Sequence, residues 1–220
     1  ILGLSGQLGS GAGEVLASIA GALKSRSGSL TLNRETFLPK SPSQAIKKKI
    51  AYCSSDRKKD GLFLGRPIFE NLTSPALDTI SKFGFNFGST EDSYAKNLAQ
   101  EFLIDVKRVY DESGLLSGGN QQKVALGKWL SIKPDVLLVN EPTRGVDVGA
   151  KSEIYQRMRE LAARGITIIF ASTDIQEITY LPDRVITFYR GMMIDEHRLE
   201  QIKTPVILKE ITDPFNETNL

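Results

Sequence analysis

Cysteine is nearly absent from this sequence, which has only Cys53 among its 220 residues. A single cysteine excludes an intramolecular disulfide and a cysteine-based metal cluster, and it fits a reducing compartment. Because Cys53 ends a short apolar run, we expect a small buried residue at the end of a strand rather than a reactive thiol. Histidine is equally rare. The one histidine, His197, lies in a charged stretch and is predicted to be on the surface.

Long apolar runs and a strong net charge are also missing. No stretch approaches the roughly 18 apolar residues of a membrane span, and no basic segment followed by an apolar one marks a signal peptide. The 28 Lys and Arg residues against 26 Asp and Glu leave a formal net charge of +2. That is too little for the broad basic field of non-specific nucleic-acid binding. We therefore expect no nucleic-acid partner, and any membrane contact is expected to be peripheral.

What is present is the composition of a globular domain, in which short apolar runs alternate with stretches of helical periodicity. This alternation predicts an α/β fold with a largely parallel sheet flanked by helices. The predicted strands are residues 1–5, 29–33, 49–53, 136–140, 166–171 and 184–189. The predicted helices are residues 14–23, 42–48, 91–106, 118–131, 150–164 and 175–180. Because the chain starts directly in a strand pattern, we expect that N-terminal strands of the fold are missing.

The pattern changes between residues 60 and 115, where β-branched runs are few and amphipathic stretches and Gly or Ser breaks are frequent. Such a change is typical of a helical insertion into an α/β core. We therefore predict one domain over residues 1–220, with a core at about 1–59 and 116–220 and a helical subdomain at about 60–115.

A glycine-rich turn follows the first predicted strand and opens the first predicted helix. Its residues are Gly6, Gln7, Leu8, Gly9, Ser10, Gly11, Ala12, Gly13 and Glu14. Both glycines of the phosphate-binding pattern G-x-x-x-x-G-K-[ST] are matched, but Ala12 occupies the Lys position and Gly13 the Ser/Thr position. The backbone N–H groups and the helix N-terminus still attract anions, whereas Glu14 would repel a phosphate. Taken alone, the turn fits a strand-to-helix connection without a ligand better than a nucleotide site.

A second glycine motif, Leu-Ser-Gly-Gly-Asn-Gln-Gln-Lys, occupies residues 116–123 just before a predicted helix. A Ser N-cap followed by two glycines exposes a hydroxyl and N–H groups to an incoming γ-phosphate. An ordinary helix cap would explain Ser117 and one glycine, but not the Asn-Gln-Gln that follows. Downstream, the apolar strand ends in Asn140 and Glu141. A carboxylate at such a strand end can orient the water that attacks a γ-phosphate, which makes Glu141 the candidate catalytic residue.

With these motifs in this order, nearly the whole chain resembles the ATP-binding domains of ABC transporters. Residues 116–122 resemble the family's signature motif, residues 136–141 its Walker B strand, and residues 145–148 its D-loop, which includes Asp147. Residues 55–62, S-D-R-K-K-D-G-L, and 141–151, E-P-T-R-G-V-D-V-G-A-K, resemble the second of two tandem domains in ribose- and xylose-type sugar importers. The resemblance implies a P-loop NTPase-like fold with an inserted helical subdomain and ATP hydrolysis with Mg²⁺.

Four positions depart from the pattern of a competent family member. Ala12 replaces the phosphate-binding Lys, Gly13 the hydroxyl that ligates Mg²⁺, Asn140 the Walker B Asp, and Thr173 the switch His, while Ser54 stands near the Q-loop Gln. The signature motif is intact at Ser117, Gly118, Gly119, Asn120 and Gln121. In this family the signature of one domain completes the phosphate site of another. We therefore expect a degenerate local pocket, weak or absent Mg²⁺ binding there, and a signature that acts in trans.

The resemblance also implies partners: a companion ATPase domain, membrane permease subunits, and indirectly a sugar-binding protein outside the membrane. It places the chain at the cytoplasmic face of a bacterial membrane. Leu62, Phe63, Leu64 and Phe69 are candidates for docking a permease helix, although they could equally close the subdomain core. There are two alternative functions. A non-hydrolysing regulatory or structural module stays open, and an ABC ATPase of DNA repair or translation is disfavoured by residues 57–62 and by the near-neutral charge.

Overall fold

The computed structural model describes residues 1–25, 27–77 and 88–215, with the backbone alone at residues 88–90. Residues 78–87 of the predicted helical subdomain lie outside the described residues. Within the described part the chain is an α/β protein with one main sheet, as the sequence predicts.

The main sheet has six strands in the order β4-β5-β6-β1-β7-β8. Its strands are β1 (Leu2–Gly6), β4 (Ile50–Cys53), β5 (Val136–Asn140), β6 (Thr167–Ser172), β7 (Arg184–Tyr189) and β8 (Met192–Arg198). All neighbouring pairs are parallel except β7 and β8, which form an antiparallel hairpin. A separate hairpin consists of β2 (Leu30–Leu32) and β3 (Glu35–Phe37). Parallel pairing requires a crossover between strands, and helices supply these crossovers here.

Eight α-helices are described. They are α1 (Ala12–Ile19), α2 (Pro42–Lys47), α3 (Ile68–Thr73), α4 (Gly88–Glu101), α5 (Gly118–Gly127), α6 (Val148–Ala163), α7 (Ile175–Tyr180) and α8 (Thr204–Thr212). A π-helical turn at Arg57–Gly61 follows β4, and short 3-10 turns extend α3 and α5. None of the described helices is both long and apolar enough to cross a membrane.

Alternating side chains of the strands feed two hydrophobic clusters, one on each face of the sheet. On β5, Val136 and Leu138 pack with α1 and α2, whereas Leu137 and Val139 pack on the opposite face. This is the period-two alternation of a strand that is covered on both sides. The larger cluster continues from the sheet into the segment 60–115 through Leu72 and other buried residues. The described part of that segment contains helices and one isolated antiparallel bridge between Pro67 and Glu112, and its status as a subdomain remains a prediction.

Several predicted boundaries are wrong in detail. The first helix begins at Ala12 rather than at residue 14 and ends at Ile19 rather than at 23. The helix predicted at 91–106 is α4, which ends at Glu101 because Leu103 takes a left-handed backbone conformation (φ 53°). The helix predicted at 118–131 ends at Gly127 and continues as a 3-10 turn, and the strand predicted at 29–33 is one arm of the β2–β3 hairpin.

The prediction that His197 lies on the surface is wrong. It lies on β8, an edge strand that the sequence did not predict, and its ring faces α8, where it is 7% exposed. Its Nε2 atom is 2.8 Å from Oε2 of Glu210. Asp195 is also near, so that three potential metal ligands lie within 4.8 Å, but the imidazole and the Glu210 carboxylate are already paired with each other. Cys53, by contrast, is buried at the end of β4 as predicted.

Candidate functional site

A cavity of about 480 Å³ opens where the carboxyl ends of the parallel strands meet. In parallel α/β sheets this edge is the usual place for a ligand. The cavity is lined by the glycine-rich turn, by the end of β5 and by the residues that follow β6; these are Gly6, Gln7, Leu8, Gly9, Ser10, Ala12, Gly13, Glu14, Ala17, Tyr52, Ser55, Asn140, Glu141, Arg144, Ala171, Ser172 and Thr173. The fold therefore gathers the turn, Asn140, Glu141 and Thr173, which are far apart in sequence, around one space.

The glycine-rich turn is fixed by its own backbone and by the neighbouring hairpin. Gly9 and Gly11 have φ values of 78° and 102°, a region in which a side chain would be strained. The Ser10 N–H donates to the Gln7 carbonyl at 2.9 Å, and the Gly191 N–H donates to the Ser10 carbonyl at 2.8 Å. The N-terminus of α1 thus lies at the cavity, where its partial positive charge favours an anion.

The charged groups of the cavity do not favour a triphosphate. Of the described residues that line it, Glu14 and Glu141 are acidic and only Arg144 is basic. A P-loop lysine would add a cation that contacts the β- and γ-phosphates. Ala12, which occupies that position, is 5% exposed and supplies no charge. The backbone of a phosphate site is present without the charge that normally accompanies it.

The two positions at which a Mg²⁺ ligand is expected are in direct contact. A Cβ atom on Gly13 would lie 2.9 Å from Nδ2 and 3.2 Å from Oδ1 of Asn140. The Asn140 amide also forms a hydrogen bond with the Tyr52 hydroxyl, which limits the rise of the Tyr52 pKa that burial causes. Mg²⁺ prefers carboxylate and hydroxyl oxygens in near-octahedral geometry. A glycine and a neutral amide do not fit that ion, and no catalytic step is assigned to a metal in this cavity.

Glu141 is held in an unusual backbone conformation at the end of β5. Its φ is 55°, and its N–H donates to the Ala171 carbonyl at 2.8 Å. Its Oε1 atom accepts the N–H of Thr173 at 2.9 Å, so the predicted switch position does contact the predicted catalytic carboxylate. Burial raises the pKa of Glu141, and the hydrogen bonds from Thr173 offset part of that rise. A half-buried carboxylate with a raised pKa can accept a proton from water.

A buried carboxylate that the sequence did not predict forms a hydrogen bond with the segment that follows Glu141. Glu177 on α7 is 2% exposed and accepts hydrogen bonds from the hydroxyls of Thr143 and Tyr155. Its negative charge adds to the effects that raise the Glu141 pKa. No motif contains Glu177, so only its place one turn after Thr173 could have indicated it. Ser55 and Arg144, which also line the cavity, lie inside the stretches 55–62 and 141–151 that carry the family resemblance. Tyr52 lies within a predicted strand and Ser172 just after one, and no motif indicated either.

The signature residues lie outside the cavity. Ser117 caps α5 and accepts the Asn120 N–H at 3.4 Å, with its own side chain exposed. Gly119 is buried, and a Cβ atom there would lie 2.7 Å from Cβ of Ala150 on α6. Gln121 is also buried, and its amide donates to the Ser113 carbonyl at 3.3 Å. The exposed face of this motif is therefore confined to its first residues, because Gly119 and Gln121 are committed to packing within the chain.

Asp147 and the docking candidates have mixed environments. Asp147 caps α6 by accepting the Ala150 N–H at 3.0 Å. Of the four docking candidates, Phe63 is 61% exposed, Leu64 and Phe69 are half-buried, and Leu62 is 7% exposed within the core. Phe63 and Phe69 line a groove of about 550 Å³ together with Arg66, Glu70 and Leu77. Of the adjacent residues Leu62 and Phe63, Phe63 is therefore exposed and remains a docking candidate, whereas Leu62 is buried in the core.

Both the sequence and the fold of this chain are similar to those of known proteins. The family described as ABC transporter matches residues 1–144. Proteins named ribose import ATP-binding protein RbsA are 44% identical, over 196 residues in Streptococcus agalactiae and over 193 residues in Lactococcus lactis. These alignments cover 89% and 87% of this chain but only 40% and 39% of the relatives. The chain therefore spans about two fifths of the length of the curated relatives it matches.

Solved structures share the fold at low sequence identity. A nucleotide-free ATP-binding cassette from an ABC transporter aligns with a TM-score of 0.79 and 20% identity, over 97% of this chain and 85% of that one. The dimeric cassette MJ0796, in a post-hydrolysis state with ADP and Pi, aligns with a TM-score of 0.77 and 20% identity, over 90% and 85% of the two chains. These likenesses establish a P-loop NTPase-like α/β fold of the cassette type.

Proposed function

The chain belongs to the ABC transporter family, and from that premise we propose that it is an ATP-binding domain of a simple-sugar importer, with a degenerate pocket of its own and a signature motif that serves a companion domain. The observation that carries the proposal is an asymmetry. The cavity keeps the backbone cradle of a phosphate site but has Ala12, Gly13, Asn140 and Thr173 where the chemical groups belong, whereas Ser117 stands intact and exposed elsewhere.

Hydrolysis in the local cavity is expected to be very slow. Removing one preorganised donor from a transition-state site costs roughly 3 kcal/mol. Here a cation, a hydroxyl, a carboxylate and an imidazole are replaced together. These losses are not additive, but any one of them is enough to slow a phosphoryl transfer strongly. Glu141 remains as a proton acceptor next to a space that binds ATP and Mg²⁺ weakly or not at all.

The signature acts on a second pocket in this proposal. Ser117 and the N–H groups at the start of α5 form a compact donor surface with partial positive charge from the helix N-terminus. Placed against a companion domain that retains its own lysine and Mg²⁺ ligands, this surface would contact the γ-phosphate there. Gly118 allows a phosphate to approach the backbone closely, and Asp147 would fix the turn that faces the companion.

The transported solute and the other partners are proposed from the named relatives. Because proteins named for ribose import are 44% identical, we assign a ribose-type sugar as the solute. The complex would contain permease subunits in the membrane, with this chain at their cytoplasmic face, and a sugar-binding protein on the other side. Phe63 and the groove beside it are the proposed contact with the permease.

The test is Ser117→Arg in the assembled transporter, because an arginine there would block the approach of a phosphate. We expect sugar-stimulated ATP turnover to fall roughly a hundredfold or more. Ser43→Arg, at an exposed site on α2, is the matched control and should keep the wild-type rate. Unchanged turnover with Ser117→Arg would favour the alternative, a non-hydrolysing structural module that only stabilises its companion.

A further inference from the structure

Arg57, in the π-helical turn after β4, binds two other segments at once. Its Nη1 atom donates to the Arg144 carbonyl at 2.5 Å and its Nη2 atom to the Gly145 carbonyl at 3.3 Å. Its Nε atom donates to Oε1 of Gln121 in the signature helix at 3.4 Å. All three guanidinium nitrogens are thus used to join the signature to the turn that follows Glu141.

The glycine at position 118 makes room for this junction. A Cβ atom on Gly118 would lie 2.6 Å from the Gly145 carbonyl oxygen and 3.0 Å from Nη2 of Arg57. Farther along the same two helices, Lys123 of α5 forms an ion pair with Glu153 of α6. The start of α5 and the start of α6 therefore pack closely, and Arg57 lies between the first turn of α5 and residues 144–145.

The guanidinium is held by hydrogen bonds rather than by an ion pair. Within the described residues Arg57 forms no salt bridge, and burial lowers the pKa of its guanidinium. Removing a cation from water is unfavourable unless its donors are satisfied. The planar guanidinium of arginine presents several donors in fixed directions and can satisfy them all here, which the single ammonium of lysine cannot do. The position therefore suits arginine in particular, and three defined acceptors fix where its guanidinium lies.

The segment that carries Arg57 also leads to the exposed Phe63. Asp56 accepts the N–H groups of Lys58 and Lys59 at 3.2 and 3.0 Å, and the Lys128 ammonium binds the Gly61 carbonyl. These contacts brace residues 56–61, which include Arg57, and Phe63 follows two residues after Gly61.

We infer that Arg57 is a positioning residue that holds the first turn of α5 against residues 144–147, so that movement of residues 54–64 reaches Ser117 and Asp147 together. This role rests on the proposed function, in which Ser117 serves a companion pocket. Arg57 would not touch nucleotide itself. It would set the distance between the signature and the D-loop and couple that distance to the permease contact.

The first test uses the chain alone and needs no assumption about transport. In Arg57→Ala we expect amide hydrogen exchange at Gln121, Arg144 and Val146 to accelerate roughly tenfold, since each of these N–H groups lies in a turn next to the lost contacts. Exchange in β5 should not change. The exchange rates in Arg57→Lys should lie between those of the wild type and of Arg57→Ala. Lys58→Ala, at the exposed neighbouring position, should exchange at the wild-type rate. Unchanged exchange at all three amides in Arg57→Ala overturns the inference.

The second test measures ATP turnover in the reconstituted transporter with and without sugar-loaded binding protein. Arg57→Ala should lower kcat about tenfold, leave KM for ATP within about twofold, and bring the ratio of stimulated to unstimulated turnover toward one. A variant that only lost stability would lower both rates equally and keep the ratio. A wild-type ratio in Arg57→Ala, in a transporter that Ser117→Arg inactivates, overturns the inference. Wild-type rates in both variants contradict the proposed function itself, and the positioning role falls with it.

Discussion

The Asn140 side-chain amide fills the space that a side chain on Gly13 would enter, since a Cβ atom on Gly13 would be 2.9 Å from Nδ2. By the family resemblance, these are the positions at which the two protein ligands of Mg²⁺ are predicted in a competent pocket. The two positions are therefore coupled, because a serine or threonine at position 13 would have to displace the Asn140 side chain and the metal would still lack a carboxylate at position 140. Reversing one of them alone would not rebuild a metal site.

Restoring the cavity should accordingly require several changes together. Gly13→Ser alone must displace the Asn140 amide, so we expect no gain in Mg-ATP affinity. Combining Ala12→Lys, Gly13→Ser and Asn140→Asp should strengthen Mg-ATP binding at least about tenfold, which corresponds to about 1.4 kcal/mol. Isothermal titration calorimetry with and without Mg²⁺ measures this. A full gain from Gly13→Ser alone would contradict the coupling.

The raised pKa of Glu141 predicts a pH-dependent effect of Glu141→Gln on stability. A carboxyl whose pKa is higher in the fold than in the unfolded chain destabilises the fold once it ionises, so its favourable contribution is lost as pH rises through the folded pKa. Glutamine removes that penalty. We expect Glu141→Gln to have the higher Tm at neutral pH and the difference to shrink as the pH falls below the folded pKa. A difference that grows on acidification would show the opposite shift.

Leu62 and Phe63 are adjacent but should respond differently to alanine. Leu62 is 7% exposed in the hydrophobic core, so Leu62→Ala should cost about 2–5 kcal/mol of unfolding free energy. Phe63 is 61% exposed, so Phe63→Ala should change stability by less than about 0.5 kcal/mol. In the transporter, however, Phe63→Ala should weaken permease-stimulated turnover. Urea denaturation and turnover assays separate the two effects, and a stability loss in Phe63→Ala equal to that of Leu62→Ala would remove Phe63 as a docking residue.

Cys53 should be inert in the folded chain. Burial raises the pKa of its thiol to about 11, so little thiolate forms at pH 8. We expect alkylation by iodoacetamide to be on the order of a hundredfold slower in the native chain than in the urea-unfolded chain, where the pKa is about 8.5. Mass spectrometry of the modified peptide gives both rates. Equal rates would place the thiol at the surface.

Most of the sheet and of its helices could be predicted because β1, β4, β5, β6 and β7 are short apolar runs and the turns between elements carry Gly, Ser or Asp. β8 was missed for the opposite reason. It is an edge strand whose side chains are mostly exposed and include Asp195, Glu196 and Arg198, so its sequence lacks the apolar signal. Its alternation turns His197 inward, which is why that residue was assigned to the wrong environment. α8 was missed because only Ile207 and Ile211 are fully buried along it.

Local motifs predicted some residues of the site, but not the contacts between them. The glycine-rich turn, Asn140, Glu141 and Thr173 were selected from local motifs, and strand order places them around one cavity. The closeness of Asn140 to Gly13, the hydrogen bond from Thr143 to Glu177 and the three hydrogen bonds of Arg57 join residues that are 34 to 127 positions apart. Such contacts depend on the packing of helices, and no local pattern encodes them.

The most direct test is the rate of Mg²⁺-dependent ATP hydrolysis by this chain without a companion domain, compared with Glu141→Gln. We predict turnover below about one hundredth of that of the assembled transporter, since in the proposed function the cavity lacks the groups that bind triphosphate and metal. Adding a companion domain that carries an intact P-loop should restore turnover, and Ser117→Arg should abolish it again. Rapid hydrolysis by the chain alone, unaffected by Glu141→Gln, would contradict a degenerate pocket with a signature that acts in trans.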